Sequence, residues 1–325
     1  MWLRSSVVNS TPDQRDPEGP RDLPGRDELP DLDAVETEVS PPSPAPPPTP
    51  PAPASQPVSA VGEVTDVRPP PLPLPRVIAI ANQKGGVGKT TSTINIGACL
   101  AELGHRTLIV DLDPQANAST GLGIDPRSLD HGMYDVILRD MPLEDCIEPT
   151  AVKNLFLAPS SLDLAGAEIE LVPQFSREHR LRAAIDTVLA DFDYVLIDCP
   201  PSLGLLTVNA LTAAKEVLVP IQCEYYALEG LGQLMKNVSL VKANLNPTLE
   251  ISTIVLVMYD ARTKLAGQVV DEVRNHFKSR VCTNVVPRTV RLSEAPSYGQ
   301  PITVFDSSSR GAKAYRAVTK ELVGG

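Results

Sequence analysis

The sequence predicts an α/β fold: a mostly parallel, twisted sheet with helices on both faces, preceded by a disordered proline-rich tail. Three observations carry this expectation. Past residue 76, short β-branched runs alternate with longer helical patterns, the order produced by parallel strands joined through right-handed crossovers. The runs are continuously apolar rather than alternating, which marks strands covered on both faces. A glycine-rich loop separates the first run from the first helix, and open α/β sheets bind ligands at the carboxyl ends of their strands.

In order along the chain, Val77 to Ile80 reads as a buried strand and Thr90 to Leu103 as a helix stopped by Gly104. Thr107 to Val110 is a second strand that runs into Asp111 and Asp113. Further strands are expected at Leu155 to Ala158, Tyr194 to Ile197, Val217 to Ile221 and Ile251 to Val257, with a short one at Asn284 to Val286. Helices are expected over Arg180 to Ala190, Leu205 to Ala214, Leu228 to Asn244, Ala266 to Ser279 and Ala312 to Leu322.

Composition divides the chain. Its 325 residues carry 29 Lys plus Arg against 40 Asp plus Glu, a formal charge of -11. Uniform acidity would keep a protein off nucleic acid and anionic membranes. Here residues 1–75 hold 20 of the 33 prolines and 12 acidic against 5 basic residues, so the remaining 250 are nearly balanced. From Pro41 to Pro57 the run PPSPAPPPTPPAPASQP has neither charge nor aromatic ring. Such a segment cannot bury enough apolar surface to offset its ordering entropy. Residues 1–75 therefore read as a disordered acidic and proline-rich tail, either a spacer or a docking site for a proline-recognition module or polar scaffold. Residues 76–325 read as one large α/β domain.

Five cysteines, odd in number and without a C-x-x-C pair, argue against a disulfide framework or zinc site and for reduced thiols. No stretch approaches the ~18 apolar residues of a membrane span. Met1 to Ser10 has no apolar core of signal-peptide length, so a soluble cytoplasmic protein is expected.

The loop reads Asn82-Gln83-Lys84-Gly85-Gly86-Val87-Gly88-Lys89-Thr90. Glycines let backbone N–H groups turn toward a phosphate, and a helix amino terminus adds a favourable dipole. Lys89 supplies a point charge for β and γ phosphates, and the Thr90 hydroxyl can hold Mg²⁺. Gln83 stands where the general G-x-x-x-x-G-K-[ST] pattern has glycine, so K-G-G-V-G-K-T, with the additional Lys84, describes it better. The strand–loop–helix context points to a P-loop NTPase. Asp113 can orient water toward a γ-phosphate, and Asp198, after the apolar run Tyr194 to Ile197, can hold the metal. Asp111 either reaches the metal site or supports the loop.

Residues 76–325 resemble the ParA/Soj chromosome-partitioning ATPases, of the deviant Walker A group that includes MinD. The resemblance is carried by ANQKGGVGKTT (Ala81–Thr91), LIVDLDPQANAS (Leu108–Ser119), YVLIDCPPSLGLLTVNAL (Tyr194–Leu211), PIQCEYYALEG (Pro220–Gly230), MYDARTKLAGQV (Met258–Val269) and VPRTVRLSEAPSYGQPI (Val286–Ile302). It implies ATP and Mg²⁺ as ligands and ATP hydrolysis as the activity. Nucleotide contacts are expected from Lys84, Gly85, Gly86, Val87, Gly88, Lys89, Thr90 and Thr91, and near the base from Asn209, Pro287 and Arg288. Lys84, Lys89 and Asp113 are the expected catalytic set; Thr90 and Asp198 the metal ligands. Lys84 is expected to reach a partner's phosphates across an ATP-sandwich homodimer. Gln222 and Glu224 could belong to the dimer face. A ParB-type centromere-binding protein is the implied stimulating partner.

Between Ala261 and Arg291 seven basic residues face two acidic ones, reversing the charge of the chain as a whole. The resemblance assigns Arg262 and Arg291 to non-specific binding of double-stranded DNA at the nucleoid. Without a recognition helix or interleaved aromatics, backbone contact is the mode these residues support. A MinD-like membrane-positioning ATPase shares the loop, but that role needs a carboxyl-terminal amphipathic helix rich in bulky apolar residues. Arg310 to Gly325 offers only Tyr315, Val318, Leu322 and Val323, and no stable membrane insertion is expected. An iron–sulfur component of the same superfamily would need clustered cysteines, and only Cys199 adjoins the nucleotide motifs. An ATP-switched regulator of replication initiation is a further alternative.

Overall fold

Branched apolar runs build the sheet, and the polar residues just past their ends build the site. A computed structural model describes residues 72–224 and 227–324, all within one structural unit. The tail expectation, including its scaffold-docking alternative, lies outside the described residues.

The chain runs β1 (Arg76–Ile80), α1 (Lys89–Glu102), β2 (Thr107–Asp111), α2 (Asn117–Gly121), α3 (Met133–Leu138), β3 (Glu148–Pro149), β4 (Leu155–Ala158), α4 (Leu164–Glu170), α5 (Arg180–Val188) and β5 (Tyr194–Asp198). It continues through α6 (Leu205–Ala213), β6 (Glu216–Gln222), α7 (Ala227–Asn244), β7 (Glu250–Val257), α8 (Lys264–Phe277), α9 (Val290–Glu294), α10 (Ile302–Phe305) and α11 (Arg310–Val323). The sheet order is β3-β4-β2-β5-β1-β6-β7, parallel except for the two-residue edge strand β3.

Because strand side chains alternate between faces, each strand feeds two cores. Val77, Ala79, Val195 and Ile197 pack with apolar residues of α3 to α8; Ile78, Ile80, Leu196 and Ile109 pack with α1, α2, α10 and α11. A buried ion pair, Arg76 to Glu216 at 2.7 Å, ties β1 to β6, and the same guanidinium donates to the Leu322 carbonyl at the end of α11.

Two register facts position the chemistry. Ile80 pairs with Asp198, and Asp111 pairs with Asp198, so β1, β5 and β2 end at one level. The loop after β1, Asp113 after β2, and Asp198 are thereby brought to one edge.

The strand expected at Asn284 to Val286 does not form. The Glu321 carboxylate takes the backbone N–H of Thr283 and Asn284, and Pro287 has no N–H to give. The segment instead meets the main sheet edge through isolated bridges, including Tyr259 to Pro287. Helix α8 starts two residues earlier than its apolar spacing suggests, because the Thr263 hydroxyl caps it by accepting from Ala266 N–H. Its buried face is formed by Ala266, Val269, Val270, Val273 and Phe277.

Candidate functional site

The loop between β1 and α1 turns through two left-handed glycines, Gly86 at φ 72° and Gly88 at φ 81°. A side chain is disfavoured in that region, so both positions depend on glycine. Gly88 caps the start of α1, and the loop and first turn line a cavity of about 450 Å³ through Gly85, Gly86, Gly88, Lys89, Thr90 and Thr91. Asp113, Pro201 and Met258 complete other parts of its wall. Val87 is buried and does not line the cavity.

Lys89 is 6% exposed. Burial lowers its pKa, and the nearby Asp198, Cys199 and Asp113 oppose that shift. A desolvated ammonium among free backbone donors is suited to an oligophosphate, whose charge would replace the water it has lost. Asp113 is also buried; its Oδ1 accepts from Gln115 N–H at 3.0 Å, which fixes the carboxylate at the cavity wall.

Asp198 lies fully buried behind the loop. Its Oδ1 accepts from the Thr93 hydroxyl at 2.9 Å, whereas Oδ2 is buried without a hydrogen-bond partner. Burial, and then the charge of Asp111, pushes its pKa up; the neighbouring Thr90 and Thr93 hydroxyls oppose that only in part. An orphaned carboxylate oxygen beside Thr90 fits a hard cation that prefers oxygen ligands. The donor set therefore suits Mg²⁺.

Asp111 takes the supporting role of its two sequence-based alternatives. Its Oδ2 accepts from the Ser119 N–H and hydroxyl at 2.9 and 2.7 Å, anchoring α2, and Oδ1 accepts from Asp113 N–H.

Pro287 and Arg288 line an adjoining cavity of about 300 Å³ that shares Gly88, Thr91, Met258 and Pro296 with the first. Asn209 lines neither cavity. It is fully buried on α6, where Oδ1 accepts from Leu181 N–H and Nδ2 donates to the Arg177 and Leu205 carbonyls. Both amide hydrogens and one lone pair of Oδ1 are used in tying α5 and the turn before it to α6.

Lys84 does not line the cavity in the single chain. Its ammonium points to Glu224, 3.2 Å away. The side chain of Asn82 braces this arrangement by accepting from Lys84 N–H and donating to the Pro220 carbonyl.

The basic residues are less free than their count suggests. Arg262, before α8, forms a two-pronged contact with Asp260, while Arg291 on α9 pairs with Glu294 and Asp306. All three partners, Asp260, Glu294 and Asp306, lie in sequence outside the Ala261–Arg291 window that gave the basic excess. The side chains themselves remain open, at 88% and 59% exposure.

Sequence reasoning missed Met258, Pro201, Pro296 and Gln300 as cavity residues. Met258 follows β7 directly and Pro201 follows β5 closely, so the strand-end rule could have found those two. The others come from a turn brought over the site by tertiary packing.

A protein-family model described as an AAA domain matches residues 75–251. Over 247 residues the chain is 54% identical to the sporulation initiation inhibitor protein Soj of Bacillus subtilis (strain 168), spanning 76% of this chain and 98% of the relative. Over 248 residues it is 53% identical to the chromosome partitioning protein ParA of Myxococcus xanthus (strain DK1622), spanning 76% and 88%. The chain belongs to the ParA/Soj family. Solved structures place this ParA/Soj chain among P-loop NTPases. Cobyrinic acid a,c-diamide synthase from Mycobacterium smegmatis, with bound ADP and magnesium, is 40% identical with a TM-score of 0.68, covering 76% of this chain and 94% of that one. The septum site-determining protein MinD of Pyrococcus horikoshii OT3, complexed with Mg-ADP, is 26% identical with a TM-score of 0.63, covering 77% and 96%.

All five cysteines are buried and free of disulfide bonds. Tyr315, Val318 and Leu322 of α11 face inward, and among the described residues no helix is long and apolar enough to cross a membrane.

Proposed function

We propose that this protein is an ATP-dependent chromosome-partitioning ATPase whose ATP-bound homodimer holds double-stranded DNA without sequence preference. The observation that carries this reading is the convergence of β1, β2 and β5 at one edge, where Lys89, Thr90 and Asp113 line a phosphate-sized cavity and Asp198 lies buried behind its loop. The kinship with Soj and ParA supplies the process it serves.

Lys89 and the N–H groups at the start of α1 bind and orient the β and γ phosphates of ATP. Thr90 and Asp198 would hold Mg²⁺, which supplies charge neutralisation on the phosphates when bound. Asp113 positions water for in-line attack on the γ-phosphate. Lys84 leaves Glu224 and reaches the phosphates of a second copy, adding positive charge where the transition state needs it. Pro287 packs against the base while Arg288 supplies donors beside it.

Dimerisation places two sets of Arg262 and Arg291 on one DNA, doubling the phosphate contacts and steepening the salt dependence. A ParB-type centromere-binding protein stimulates hydrolysis and returns the protein to a form with little net attraction for DNA. The location is accordingly cytoplasmic and nucleoid-associated.

The experiment compares sedimentation and DNA retention of the Arg262→Glu/Arg291→Glu variant with the unaltered protein in ATP. ATP-dependent dimerisation with lost DNA retention supports the reading. DNA retention equal to that of the unaltered protein overturns the assigned surface.

A further inference from the structure

Four of the large apolar side chains that stand open to solvent fall within fourteen residues: Leu162, Ile169, Val172 and Phe175, at 73, 77, 55 and 95% exposure. The spacing around α4 explains how they come to be exposed. Leu164, Ala167 and Leu171 recur at i, i+3 and i+7 and are buried in the core. Leu162, Ala165, Ile169 and Val172 recur at i, i+3, i+7 and i+10, and all are exposed. Bonds from Leu164 N–H to the Ser161 carbonyl and from Val172 N–H to the Ile169 carbonyl extend the helical turns beyond both ends of α4. This short element thus has two apolar stripes, and only one has a partner within the described chain.

An acidic band separates those stripes. Asp163, Gly166 and Glu170 line a groove of about 580 Å³ with Asp130 and Asp135. Arg139 is the cation in that lining, and it is tied to Asp135 at 2.7 Å. Glu170 receives only the Tyr134 hydroxyl, while Asp130 and Asp163 have no cationic partner among the described residues.

Charge selects the occupant of this face. A second copy would set the same acidic groove against itself in a two-fold contact, and an anionic bilayer would be repelled. The chain's own residues 1–75 are acidic in balance and fit no better. A helix with leucine-like residues on one side and lysine or arginine along its flank matches both the apolar stripe and the acidic groove. We propose that the exposed face of α4, from Leu162 to Phe175, docks a cationic amphipathic helix of a partner protein.

Its place in the fold gives such docking a consequence. Glu168 of α4 lies so close to Gly204 that a β-carbon there would sit 1.7 Å from its Oε1. Gly204 belongs to the segment that leaves Asp198 and carries Pro201 into the wall of the phosphate cavity. A docked helix would touch an element packed directly on that segment. The proposed surface itself does not depend on the partitioning reading.

The test uses the full chain and a labelled 18-residue leucine/lysine amphipathic peptide, with a leucine/glutamate version and a scrambled leucine/lysine version as controls. Two variants are compared, Ile169→Ser/Phe175→Ser and Asp163→Asn/Glu170→Gln, after circular dichroism and melting establish that each is folded. Both alter exposed side chains. Saturable anisotropy with the leucine/lysine peptide, weakened roughly tenfold or more by each variant and absent with the glutamate version, is the expected result. Equal binding by either variant, equal binding of the scrambled peptide, or no binding overturns the proposal. So does a peptide-free dimer, or co-sedimentation with anionic vesicles, that is lost in the serine variant, because the face would then belong to a second copy or to lipid.

Discussion

The Lys84 ammonium lies 3.2 Å from a Glu224 carboxylate oxygen of its own chain, turned away from the phosphate cavity. The other Glu224 oxygen is held by the Gln222 side-chain amide. Both Lys84 and Glu224 are substantially exposed, so their pair is a weak restraint, worth about 1 kcal/mol or less. A restraint of that size can bias an exchange of partners without blocking it.

Replacing Glu224 with Gln should therefore release Lys84 for contact with a second copy. The ATP-state dimer is expected to form at a concentration lower by about two- to fivefold, the range available to an exposed pair. Analytical ultracentrifugation in ATP checks this. An unchanged or weakened dimer would mean that the pair does not compete with association.

Asp260 should restrain DNA binding through its paired contact with Arg262. Asp260→Asn is expected to tighten ATP-state DNA binding by about two- to fivefold at low salt and less at high salt. Hydrogen bonds from Arg262 hold the Asp260 carboxyl down at about 2. A depressed carboxylate contributes above its unfolded pKa, and that contribution is lost only as pH falls through the folded value. The pair therefore stays ionised from pH 5 to 8. Fluorescence anisotropy across that range should show the same ratio of the two affinities throughout; a ratio that collapses near pH 6 would contradict it.

Asn209→Ala should lower stability by about 1–3 kcal/mol, since it leaves the Leu181 amide and two carbonyls without their buried partner. Nucleotide affinity of the folded variant should be unchanged. Urea unfolding and nucleotide titration together distinguish this from a base contact, which would reduce affinity at unchanged stability.

Gly299 provides a structural test of the cavity wall. It has φ 63°, and a β-carbon there would come within 2.6 Å of the Gly123 Cα, a backbone atom that cannot simply rotate away. These glycines join the end of α2 to the turn carrying Pro296 and Gln300, both cavity residues. Gly299→Ala should cost about 1–3 kcal/mol and weaken nucleotide binding. Unaltered melting and affinity would contradict this account of the wall.

What could be read in the sequence follows a physical division. Strands β1, β2, β5, β6 and β7 were legible because burial on both faces demands continuous apolar runs. The loop from Lys84 to Thr90 was legible because phosphate binding fixes glycines, lysine and hydroxyl at a local spacing. Helices α2, α3, α4, α9 and α10 span four to seven residues, too short for the helical period to declare itself. The Lys84–Glu224 pair joins residues 140 positions apart, and the Arg291–Asp306 pair needs the packing of α9 on the following segment. The bonds that tie Asn209 to Leu181 and Arg177 join residues 28 and 32 positions apart, which no local pattern records.

The most direct test of the nucleotide switch is DNA binding by the full chain in ATP, in ADP and without nucleotide, repeated with Asp113→Ala. The account predicts tight binding only in ATP, with steep salt dependence, and a long-lived DNA-bound state when Asp113→Ala prevents turnover. Equal affinity in all three nucleotide conditions would contradict it.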